Sequence, residues 1–87
     1  MSKYAVVSAE YVGGFCLRIT FADGRCNVVD FEPFFMKHPH APFRKYYNVD
    51  MFRQFRIEDS NVVWGRDWDL IIDPANLYHN NLTRQYA

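Results

Sequence analysis

No stretch of this chain stays apolar for anything near the roughly 20 residues that a membrane-spanning helix needs. The N-terminus also lacks the basic, apolar and small-residue order of a secretory signal. Glycine is scarce, four residues in all, and nowhere clustered into a phosphate-cradling loop. Net charge is absent too, since ten Lys and Arg balance ten Asp and Glu. That balance argues against a polyanion as the general partner. Cys16 and Cys26 are the only cysteines, which suits a reducing compartment. These absences together give the expectation of a soluble cytoplasmic protein with no membrane contact.

Aromatic residues are what the chain has in abundance: eight Phe, six Tyr and two Trp among 87 residues. A domain this short buries only about 60–65% of its unfolded surface. Large rings, each able to bury roughly 150–250 Å², compensate for the small size. One domain is expected over residues 1–78, with a polar, flexible tail over 79–87.

The pattern along the chain predicts a small α+β fold, an antiparallel β-meander with one or two short helices. Tyr4 to Val12 (YAVVSAEYV) reads as a strand ended by Gly13-Gly14. In FCLRITF, Phe15, Leu17, Ile19 and Phe21 alternate with Cys16, Arg18 and Thr20, the period of a half-buried strand. Asp23-Gly24 then signals a hairpin into RCNVVDF. A two-residue loop would set Leu17 against Asp30. A three-residue loop, Ala22-Asp23-Gly24 with a left-handed glycine, pairs Leu17 with Val29 and Phe15 with Phe31, which the core should select. In that register Cys16 faces Asp30 and Cys26 faces Thr20. At about 3.4 Å per residue the sulfurs are then too far apart for a disulfide.

Glu32 to Lys37 suits a short helix with Pro33 in its first turn, and Asn48 suits the cap of a second whose Val49, Phe52 and Phe55 face inward. Phe55–Glu58 and Asn61–Trp64 read as another hairpin turning at Asp59-Ser60. Asp69 to Ile72 closes the fold, with Asp73 capping a last turn of helix that begins at Pro74.

Chemistry-bearing patterns are thin. Asp67, Asp69 and Asp73 stand at positions 1, 3 and 7 of a calcium loop, but Ile72 and Tyr78 occupy the places of its glycine and its bidentate glutamate. The better reading is structural, with Asp73 a cap and Asp69 accepting backbone N–H bonds at a strand edge. His38 and His40 flank Pro39 without a further ligand to complete a tetrahedral set. Ser2, Ser8 and Ser60 lie in no nucleophile motif, and Cys16 has no sequence-local base. We therefore expect no catalytic, metal or cofactor residues.

Charge is distributed unevenly. Lys37, Arg44, Lys45, Arg53 and Arg56 face only Asp50 within residues 37–56, whereas Glu58, Asp59, Asp67, Asp69 and Asp73 follow with Arg66 alone. The basic segment interleaves cations with Phe and Tyr, as single-stranded nucleic acid binding requires. An edge of so small a sheet can equally accept a strand from another protein. Protein association is the leading expectation, with Arg44, Lys45, Tyr46, Tyr47 and Arg53 as partner-binding residues. The alternative is a nucleic-acid-binding regulator using the same segment.

The order VVSAEY, FCLRITFADG, VVDFEPFF, FRQFRIE and VVWGRDWDLIIDPANLY resembles a bacterial family of unknown function, number 2442 of the domain-of-unknown-function series. The likeness runs from about Val6 to Tyr78. Its most specific pieces are F-x-D-G at Phe21–Gly24, Val29-Asp30, and the tryptophan-to-acid spacing followed by D-P-x-x-L-Y. In one departure, Trp68 takes the place of a glycine before the acid, which tells against a tight turn there. The resemblance implies a small α+β module without established enzymatic activity. Some relatives carry a helix-turn-helix domain after the module, or are encoded beside a small toxin-like protein. Nine residues follow Tyr78 here, so the expectation is a module without that DNA-binding domain. By resemblance, the expected role is an interaction module, antitoxin-like or regulatory, that binds a small toxin-like protein. An edge strand or exposed aromatics give the further expectation that it pairs with itself as a homodimer.

Overall fold

The computed structural model describes residues 3–82. The α+β fold is there, but the meander comes as two antiparallel three-stranded sheets instead of one. The first holds β1 (Val6–Gly13), β2 (Cys16–Phe21) and β3 (Cys26–Asp30) in sequence order, and the second holds β4 (Arg56–Glu58), β5 (Asn61–Trp64) and β6 (Leu70–Ile72). Between them the chain forms α1 (Glu32–Lys37), a 3-10 turn over Arg44–Tyr47 and α2 (Val49–Phe52), and α3 (Pro74–Tyr78) follows β6. The excursion over residues 31–55 separates the meanders, and the two meet where the Val6 N–H donates to the Ser60 carbonyl at 3.0 Å.

The first hairpin register is the one the apolar pattern selects. Leu17 pairs with Val29, Cys16 with Asp30 and Thr20 with Cys26, while the Phe31 N–H donates to the Phe15 carbonyl at 2.8 Å. Gly24 closes the three-residue loop at φ +91, a conformation that only glycine adopts freely. Both cysteines are free. Asp59 and Ser60, at φ 50 and 67, make the second hairpin's turn without any glycine.

Caps follow sequence logic. Asn48 accepts the Asp50 N–H at 2.9 Å, and Asp73 accepts the Ala75 N–H at 3.0 Å, so each starts its helix by satisfying an orphan donor. The inward face of α2 differs from expectation: Phe52 is fully buried, but Val49 is 37% exposed. With four residues, α2 is about one turn long and buries only Phe52 fully, with Met51 partly buried against the same core.

That core joins both sheets. Phe31, Phe52 and Trp64 pack with centroids 5.4–5.7 Å apart, and Phe52 stacks on the indole. Trp64 is completely buried, and its Nε1 donates to the Phe52 carbonyl at 2.8 Å. The packed chain continues past the expected boundary at Tyr78. Leu82 is 6% exposed within the core cluster, and the Asn81 N–H donates to the Asn76 carbonyl at 2.7 Å. The rest of the expected tail, residues 83–87, lies outside the described residues.

Candidate functional site

Asp69 organises the corner where the 3-10 turn meets the β5–β6 connection. Its Oδ2 accepts from Tyr46 Oη at 3.0 Å and pairs with Lys45 Nζ at 2.9 Å. The hydrogen bond from Lys45, and next that from Tyr46, hold the carboxyl below the usual aspartate range. The same bond raises Lys45. Burial, seconded by Asp69, pushes the Tyr46 phenol up. The expected role of Asp69, acceptor of backbone N–H bonds at a strand edge, gives way to this side-chain role because the Lys45 and Tyr46 donors reach it across the corner. Beside it lies an open polar cleft of about 420 Å³, bordered by Met51, Gln54, Arg56 and Arg66.

The five partner-binding residues expected from sequence therefore divide. Tyr46 is buried, and Lys45 is already held by Asp69. Tyr47 is half-buried and donates from its hydroxyl to the His38 carbonyl. Arg53 lies over the Tyr11 ring at 4.9 Å. Arg44 is exposed and donates to the Ala41 carbonyl at 3.2 Å. Much of this segment's chemistry is thus turned inward, onto the fold itself.

Other candidates are modest. Burial first, then neighbouring Asp30, raise the Cys16 thiol above its ordinary value, the opposite of an activated nucleophile. The His38 ring packs against Phe34 at 5.1 Å. Among the described residues, no three His, Cys, Asp or Glu side chains gather closely enough to hold a metal ion. No helix among them is long and apolar enough to cross a membrane.

Sheet edges carry more information. In β3 the odd residues face β2, as the bonds at Arg25 and Phe31 show. The N–H and C=O groups of Cys26, Val28 and Asp30 therefore point away from the sheet. Among the described residues, no backbone group bonds them. Val28 is 52% exposed on the outer face. Asn27, facing inward, instead donates its amide to the carbonyls of Leu77 (3.2 Å) and Tyr78 (2.7 Å), tying α3 to the strand. Sequence reasoning missed that bracket, although a polar residue at an inward position of an alternating strand was the available signal.

A family model described as "Protein of unknown function (DUF2442)" matches residues 6–83. The chain belongs to this family. No curated protein and no solved structure matches it. The DUF2442 match covers every element from β1 to α3 and includes Leu82, in keeping with a packed chain that runs beyond Tyr78.

Proposed function

We propose that this domain is a non-enzymatic protein-interaction module, with the outward edge of β3 as its contact surface. The observation that carries the reading is the row of outward backbone groups at Cys26, Val28 and Asp30 beside an exposed valine. Such an edge offers main-chain hydrogen bonds to an added strand, and its alternate side chains supply specificity. Natural sheets commonly blunt their edges with lysine, proline or a bulge. Here the centre of the strand reads Asn27-Val28-Val29, and its register with β2 is regular. The added strand comes from a small partner protein, as an antitoxin-like role requires, or from a second copy of the chain.

Affinity purification of the tagged chain from its host tests it, with nuclease treatment and a salt series. Two variants run in parallel. Val28→Pro removes an outward donor without costing a ladder bond, whereas Arg44→Glu probes the basic segment. Lys45→Glu is the poorer probe there, because it would set two carboxylates together at Asp69. A stoichiometric protein partner that survives nuclease and is lost with Val28→Pro supports the reading. Binding only to nucleic acid, weakening steeply with salt, would replace it with the regulator alternative.

A further inference from the structure

Resting on the reading of β3 as an interaction edge, we infer that its occupant is a second copy of the same chain. The two β3 strands pair antiparallel about a two-fold axis through Val28, making one six-stranded sheet. Three features of the strand favour this occupant. The outward groups fall at Cys26, Val28 and Asp30, so an axis at Val28 pairs Val28 with its copy and Cys26 with the second copy's Asp30. All three outward positions are used, each pair exchanging two N–H···O bonds. No other axis position matches as many.

Charge points the same way. Exposed Arg25 stands at one end of the strand, and exposed Asp30 and Glu32 stand at the other. Antiparallel pairing about Val28 brings the Arg25 end of each strand beside the Asp30–Glu32 end of the other, twice. The ends are thus complementary in charge, although each Arg25 guanidinium lies over its own Tyr78 ring on the inward face. Parallel pairing would gather the acids at one end and leave the arginines at the other. Side chains agree as well. On the outer face the two Val28 side chains meet on the axis, so the most exposed apolar group of the strand is covered by itself. Isologous contacts of this kind are the commonest route to a dimer.

Five residues per strand make a small interface, below the roughly 1,200–2,000 Å² of a standard complex. The dimer should therefore be weak and concentration-dependent. Cys26 and its copy lie four residues apart along the paired strands, more than about 10 Å, so reductant should not affect it.

Sedimentation equilibrium of the full chain from micromolar to millimolar concentration, with reductant, gives the first readout. Val28→Lys and Val28→Glu each place like charges on the axis and should weaken dimerisation at least tenfold. Mixed one to one, they should restore it as a heterodimer, which happens only if residue 28 faces its copy. Amide exchange of the unmodified chain is an independent check should either variant fail to fold. The amides of Cys26, Val28 and Asp30 should gain protection as concentration rises, while those of Asn27 and Val29 stay protected throughout. A monomer at every concentration, a dimer indifferent to both charges, or unchanging exchange at Val28 would each overturn self-pairing. The interaction-edge reading fails separately, when Val28→Pro retains every protein partner.

Discussion

The Asp69 carboxylate occupies the space that a side chain on Gly65 would need. A Cβ built on Gly65 would lie 2.5 Å from Asp69 Oδ2 and 2.6 Å from Tyr46 Oη, and Gly65 itself sits at φ +88. Glycine is thus required twice over at the corner, by the backbone and by the contact it admits. Gly65→Ala should destabilise the fold by about 1–2 kcal/mol from the left-handed backbone alone, and further by prying Tyr46 and Lys45 from Asp69. In an Asp69→Ala background the same change should cost less, because the carboxylate's part of the crowding is gone and only Tyr46 Oη still stands in the way. Urea unfolding of the four proteins measures this coupling, and additive effects would refute it.

Acid should loosen the fold through three carboxylates. Asp23 is lowered chiefly by the Tyr78 hydroxyl, Glu58 chiefly by Arg56, and Asp69 chiefly by Lys45. A folded value below the unfolded one means stability that is complete above the unfolded value and lost as pH falls through the folded one. Melting temperature should therefore fall once pH drops towards the ordinary values of 4.5 for Glu and 3.8 for Asp, and keep falling below them. Asp69→Asn should make that fall shallower. The raised Lys45 works in the other direction, adding stability that fades only as pH climbs past its ordinary 10.5. Thermal melts from pH 7 down to 2 check the acid limb.

At Trp68 the chain makes the turn that the missing glycine told against. It does so with Trp68 itself at φ 56, its N–H donating to the Gly65 carbonyl at 3.2 Å and its indole donating to Glu58. A non-glycine residue in this region carries strain of about 1–2 kcal/mol. Alanine normally outranks glycine in stability, but here the order should reverse. Trp68→Gly should be more stable than Trp68→Ala by about 1 kcal/mol, since both lose the indole and only alanine keeps the strain. Chemical denaturation of the two variants decides the sign.

Local rules explain why so much of the fold was legible. The 17–29 register, the Gly24 loop, the Asn48 and Asp73 caps and the turn at Asp59-Ser60 each depend on a few neighbouring residues, and the structure has them all. What escaped depends on distant partners. The contacts of Asp69 with Lys45 and Tyr46 span 24 and 23 residues, and no local pattern encodes them. For the same reason the basic segment looked freer than it is: composition shows Lys45 and Arg53 but not the Asp69 carboxylate and the Tyr11 ring that they meet. Val49 was misplaced because a helical period was extended over a helix about one turn long. The split into two sheets depends on how residues 31–55 cover the aromatic core, which strand periodicity does not report.

Asn27 offers the clearest test of such a distant contact, because its inward amide reaches two carbonyls at the end of α3, 50 and 51 residues away. Those carbonyls belong to the last residues of a helix, where intrahelical donors run out. Asn27→Ala should leave the Tyr78 carbonyl without this donor, while the Leu77 carbonyl keeps the Asn80 N–H at 3.1 Å. The change should cost about 1–2 kcal/mol, the ordinary price of an unmet partly buried acceptor. Asn27→Asp keeps the shape but turns a carboxylate on two carbonyl oxygens, so at neutral pH it should be worse than alanine. Protonating that carboxylate gives back one donor, which narrows the gap between the two variants as pH falls. Urea titrations at pH 7 and pH 4 measure both effects. If aspartate equals or exceeds alanine in stability at pH 7, the bracket does not hold α3 to β3.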